Sequence, residues 1–226
     1  MKKILSLFVV ALLCRATPAY CAPTRADTVK DVESCWAVLQ EIMSDPSTAI
    51  PKPILQAAHA IVIVNQFKAG YIFGFKGGYG VILAKKPDGT WSVPVLLSAN
   101  EASLGLQIGF KSVESVYVIT DDATPKLLFR DRFNVGVDAK AVAGPAQAIA
   151  EKDYVNVLKN PVIIYTKSLG LFAGATVKAG LLARNDAANF ILYNSTYTLP
   201  ELLYGNWVTP PEEVKPLMKY VSDLTR

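Results

Sequence analysis

The stretch from Ala57 to Pro94, AAHAIVIVNQFKAGYIFGFKGGYGVILAKKPDGTWSVP, constrains the fold more than any other part of the chain. Ile61 to Asn65 stays apolar until its last residue, as a buried strand does. Tyr71, Phe73 and Phe75 alternate with Ile72 and Gly74, and Tyr79, Val81 and Leu83 alternate with Gly80, Ile82 and Ala84. Lys86-Pro87-Asp88-Gly89-Thr90 predicts a hairpin turn, because proline fixes one φ and glycine supplies a positive one. Trp91, Val93, Val95 and Leu97 then follow a period of two and are predicted to share a face. The glycines from Gly74 to Gly80 invite a phosphate-loop reading, but no Gly-Lys-Ser/Thr ending follows. A tight turn is the reading adopted for them.

Helical patterns flank this region. Val29, Val32, Trp36, Leu39 and Met43 recur at three- and four-residue steps, capped by Asp27 or Thr28 and ended by Asp45-Pro46. A short helix is predicted from Pro53 to Ala58. Further strands are predicted at Leu104–Phe110, Val113–Thr120 and Phe133–Val137, with a short helix or strand at Lys126–Phe129 and a small-residue segment at Ala139–Ala150. Pro161 to Ala183 is apolar, but its period is two and Lys167 and Lys178 interrupt it, so two strands are expected rather than a membrane span. Helices are predicted over Asp186–Tyr193, over Leu199–Tyr204 ended by Gly205, and onward from Thr209-Pro210-Pro211-Glu212 to Leu224. These elements predict one α+β domain. Its core is a bent, barrel-like antiparallel sheet, with an N-terminal amphipathic helix and C-terminal helices.

The first 21 residues read as a secretory signal. Lys2 and Lys3 precede a ten-residue apolar core, Ile4–Leu13, which is too short to span a bilayer, and Ala19-Tyr20-Cys21 offers a cleavage site. Residues 22–27 are expected to be a flexible leader and 28–226 the folded domain. Removing Lys2, Lys3 and Arg15 lowers the net charge from +4 to +1, leaving no net-charge argument for nucleic acid. The cleaved chain is expected to be periplasmic or secreted. Bulky Tyr20 before Cys21 argues against lipoprotein processing. Of three cysteines only Cys35 remains, so no internal disulfide can form.

Chemistry-bearing residues are scarce. His59 is the single histidine, and its Ala-rich surroundings suggest packing. A catalytic triad would have to use it, and no GxSxG motif accompanies it. Metal ligation would have to draw on one His and one Cys, and Asp121-Asp122 reads as a turn. No catalytic set, cofactor or metal site is therefore assigned. Lys68, Lys76, Lys85, Lys86 and Lys111 fall near strand ends, with Tyr71 and Phe73 close in sequence. If the sheet curls, they converge on one rim able to meet lipid phosphates.

Six motifs carry a family resemblance: KAGYIFG (Lys68–Gly74), GGYGV (Gly77–Val81), PDGTWSVP (Pro87–Pro94), GLQIG (Gly105–Gly109), AGP (Ala143–Pro145) and SLGLFAG (Ser168–Gly174). Together they resemble the SYLF-domain family, related to eukaryotic actin-patch regulators, over roughly Thr28 to Trp207. The resemblance implies binding rather than catalysis: family members bind membrane phosphoinositides, fungal relatives also bind actin, and an N-terminal amphipathic segment contributes to membrane contact. The matching helix here carries Asp31, Glu33 and Glu41 against Lys30, unlike a basic membrane helix. The expected function is non-enzymatic binding of anionic phospholipid at the envelope. An envelope protein-interaction domain is the alternative.

Overall fold

The computed structural model describes residues 23–70, 73–99, 101–104, 109–130, 132–135, 138–144, 151–167 and 180–226. Residues 1–21, which the sequence pattern reads as a signal, together with Tyr71, most of the GLQIG motif and the SLGLFAG motif, lie outside them. The first helix, α1, spans Arg25–Ser44. It begins earlier than the sequence pattern predicts, because Thr24 and Asp27 form a reciprocal capping box, so residues 25–27 are helix rather than leader. Its buried stripe centres on Val32, Cys35, Leu39 and Ile42, whereas Trp36 and Met43 sit at its margin. A short α2 follows at Lys52–Gln56.

Among the described residues nine strands form one sheet: β1 Ala60–Gly70, β2 Phe73–Ala84, β3 Val95–Ser98, β4 Glu101–Leu104, β5 Gly109–Ile119, β6 Arg132–Val135, β7 Ala141–Ala143, β8 Val162–Thr166 and β9 Gly180–Arg184. Their order is β6-β9-β3-β2-β1-β5-β8-β7, with β4 paired to β2 off this path, and the sheet curls into a half-barrel. All pairings are antiparallel except β7 with β8. That parallel pair departs from the expected all-antiparallel sheet, because the chain returns through a helix, α4 (Glu151–Val157), rather than a tight turn.

Both faces of the sheet are covered, which is why its central strands read as unbroken apolar runs. Ile61, Ile63, Val81, Leu83, Val116 and Val118 face α1, α2 and the C-terminal helices α5 (Asp186–Tyr193) and α7 (Lys215–Leu224). Val62, Val64, Ile82, Leu97, Tyr117, Ile164 and Leu182 line the opposite core with Phe133 and with Leu202 and Leu203 of α6 (Leu199–Tyr204). A four-residue helix, α3 (Thr124–Leu127), settles the ambiguity at Lys126–Phe129.

Three expectations are corrected by this packing. Gly74 to Gly80 forms no tight turn; it lies within continuous β2, where a Cβ on Gly78 would stand 2.3 Å from the Asn65 carbonyl oxygen. Trp91 does not share a face with Val93, Val95 and Leu97. It touches the sheet through one isolated bridge and joins the α1-side core, because strand pairing lapses before β3 resumes it. At the C-terminus no Thr209 capping box forms: a single 3-10 turn, Glu212–Val214, leads into α7, and Glu213 is engaged by Arg25 at 2.6 Å. The Lys86–Thr90 turn forms as predicted, with Gly89 at φ +83° and the Asp88 carboxylate accepting from the Thr90 N–H and hydroxyl.

Candidate functional site

The ends of β1 and β2 nearest the Pro-Asp-Gly turn frame an open cleft of about 640 Å³. His59 precedes β1; Lys85 and Lys86 follow β2 and lead into the turn. Lys126 belongs to α3, Phe129 follows it, and Tyr204 ends α6. His59 is exposed rather than packed, correcting the sequence expectation. Its Nδ1 lies 2.7 Å from the Asp122 carboxylate. The neighbouring Asp121 makes the predicted turn by accepting from the N–H groups of Ala123 and Thr124, which leaves Asp122 free to project toward the histidine. Lys86 Nζ donates to the Gly205 carbonyl at 2.9 Å, so this flexible side chain is held in place. Phe129 and Tyr204 meet edge to face with ring centroids 6.2 Å apart. Burial, reinforced by the Asp122 charge, pushes the Tyr204 hydroxyl above the ordinary tyrosine range. Among the described residues that line the cleft there is no Ser, Thr or Cys beside the His59–Asp122 pair.

The structure divides the predicted lysines. Lys85 and Lys86 share this cleft. Lys68, Lys76 and Lys111 belong to the other half of the strands, about 30 Å away along β2 at ordinary strand rise. There the register sets Lys68 opposite both Lys76 and Lys111, and Lys76 opposite Glu101. A row reading Glu101, Lys76, Lys68, Lys111 crosses four strands at the ordinary spacing of about 4.8 Å between neighbours. Phe73 pairs with Leu104 three residues along from that row. A single lysine rim therefore does not exist. Asp122 was read only as part of a turn, and Lys126, Phe129 and Tyr204 were not singled out as site residues, because they reach the cleft from segments remote in the chain.

A third polar group lies beneath α1. The Tyr79 hydroxyl donates to Ser34 Oγ at 2.9 Å, and Asn65 Nδ2 donates to the same oxygen at 3.1 Å. Nearby Asp31 has its pKa raised to about 6 by burial and by the charge of Asp27. Cys35 is fully buried, its Sγ donating weakly to the Ile63 carbonyl, and burial pushes the thiol up. It is a core residue. Among the described residues no three His, Cys, Asp or Glu side chains gather in a metal-binding group.

Comparison with known proteins gives the chain its relatives. Residues 100–224 match the family described as "Ysc84: Las17-binding protein actin regulator". The chain is similar to LAS seventeen-binding protein 3 of Saccharomyces cerevisiae, 32% identical over 76% of this chain and 38% of the relative. It is 30% identical to Protein YSC84 of the same yeast, over 76% of this chain and 37% of the relative. SH3 domain-containing YSC84-like protein 1 of Bos taurus is 25% identical over 80% of this chain and 53% of the relative. The matched region thus spans between about two fifths and about half of these relatives' length, and none of their names describes an enzyme.

Proposed function

The chain belongs to the Ysc84/SYLF family, and from that premise we propose that it is a non-enzymatic domain that binds anionic phospholipid at the bacterial envelope, as a periplasmic or secreted protein. The observation that carries this reading is the lysine row. Like charges placed directly opposite each other across strands are destabilising. The register sets Lys68 opposite a lysine on each side and Lys76 opposite Glu101. An anionic surface gives such a row a counter-charge, at about 1 kcal/mol per basic residue near a charged membrane.

Helix α1 is not the contact on this reading. Val32, Cys35, Leu39 and Ile42 are packed into the core, so its apolar stripe is already spent on the fold. Co-sedimentation with anionic and with neutral vesicles tests the proposal. Binding to the anionic vesicles alone is expected, weakening with salt and falling when Lys68 and Lys76 are changed to glutamate. Absence of binding at low salt by folded protein overturns it.

A second reading, an envelope interaction domain, draws support from the relatives' names, which refer to Las17 binding and SH3 domains, and from Trp207, which stands 62% exposed. A stoichiometric protein partner combined with no vesicle binding would select this reading.

A further inference from the structure

We propose that the His59 cleft is a binding site for a phosphomonoester, independent of the lysine row and of the lipid reading. Lys85, Lys86 and Lys126 bring three positive charges to it and Asp122 one negative charge, leaving a surplus of about two that complements a phosphomonoester dianion. Ammonium groups suit phosphate as point charges, and a hydrogen bond to an ionised group is the strong kind.

Two of the groups are positioned before any ligand arrives. Lys86 is tethered to the Gly205 carbonyl, and Asp122 fixes the His59 ring through Nδ1, leaving Nε2 as its remaining polar atom. Side chains already held in place lose less freedom on binding. Pro87, Phe129 and Tyr204 add an apolar wall for the carbon portion of the ester. The volume, about 640 Å³, falls in the ordinary range for small-molecule sites. An isolated surface lysine offers none of this. Here three cations arrive from two separate parts of the chain, beside an anchored imidazole and an aromatic pair.

The phosphomonoester can belong to a small soluble molecule or to a lipid headgroup, and one experiment separates the two. His59 is the single histidine of the chain, so untagged protein gives one imidazole signal by NMR. Titration with glycerol 3-phosphate at fixed pH is expected to move that signal saturably. Parallel titrations use phosphatidylcholine vesicles with and without phosphatidic acid, followed by co-sedimentation. Lys85→Glu with Lys126→Glu should weaken binding about tenfold or more, with an unchanged melting temperature because Lys126 is exposed and Lys85 half-buried. Asp122→Asn, which removes the opposing negative charge but keeps a side-chain oxygen able to accept from His59 Nδ1, should tighten it about threefold. Lys68→Glu with Lys76→Glu should leave glycerol 3-phosphate binding unchanged.

Saturable glycerol 3-phosphate binding supports a soluble ligand. Phosphatidic acid binding that is lost only in the Lys85/Lys126 variant supports a lipid headgroup in the same site. The proposal is overturned if neither probe binds, if binding ignores Lys85 and Lys126, or if Asp122→Asn weakens it. Vesicle binding lost only in the Lys68/Lys76 variant, without glycerol 3-phosphate binding, overturns the cleft and leaves the lipid reading standing.

Discussion

The two halves of the β1–β2 pair use the same lysine-rich chemistry in opposite ways. In the half that begins at Ala60 and ends at Ala84, both faces are buried, and at its edge Lys86 donates to the Gly205 carbonyl in a cleft that also holds Lys85, Lys126 and Asp122. In the half that carries Lys68 and Lys76, the register stacks lysine against lysine and against Lys111, with Glu101 at one end. The difference teaches that charge of one sign has two fates in this fold. Where neighbouring segments bring acceptors, it builds a pocket. Where strands align, the register sets lysine opposite lysine.

The largest test breaks the border between the halves. Gly78 pairs with Gln66, and a Cβ there would stand 2.3 Å from one backbone atom and 2.7 Å from another. Gly78→Ala should cost about 3 kcal/mol as overpacking against backbone that cannot give way, read as a lower urea midpoint. Next comes the anchor beside the turn. The buried Trp91 indole N–H donates to Thr225 Oγ1 at 2.9 Å, so Thr225→Val should cost about 2 kcal/mol by leaving that donor unpaired, seen in the same denaturation experiment.

A smaller effect concerns Asp31. Its folded-state pKa of about 6 lies above the ordinary carboxylate value, so between about pH 4 and pH 6 the folded state holds more protons than the unfolded one. Its contribution to stability therefore falls as pH rises through that window. Asp31→Asn should flatten this slope and stabilise the protein at neutral pH by about 1 kcal/mol, after allowance for solvent screening of a half-buried group. The smallest effect sharpens the contrast most. Lys68→Glu should stabilise the fold by about 0.5 kcal/mol, by turning two like-charge neighbours into opposite ones, while reducing affinity for anionic vesicles about fivefold. A lysine inside a satisfied network would show the reverse on stability.

Much of the architecture was legible because it rests on local pattern. The unbroken apolar run at Ile61, the Pro-Asp-Gly turn with Gly89 at positive φ, and the helices Asp186–Tyr193 and Leu199–Tyr204 appear where periodicity and turn chemistry place them. Local pattern misled where a distant partner intervened. Trp91 follows a period of two with Val93, but a buried acceptor on Thr225 draws it to the other core. Gly78 and Gly80 look like part of a turn in sequence, but a Cβ on either would run into the β1 backbone. The Thr209 box has the right spelling, yet its Glu212 pairs with Lys215 and the segment starts as a 3-10 turn with no side-chain cap.

The candidate site shows the same division. Sequence alone determined the lysine inventory, the solitary histidine, the lack of a GxSxG motif and the family motifs, since each is a property of composition or of short spacing. Only the tertiary structure decided that five lysines form two groups rather than one rim, and that His59 is exposed beside Asp122. The reason is physical. Strand register and the return of α3 and α6 to the sheet edge are fixed by which apolar faces bury together, and that choice sums over the whole chain.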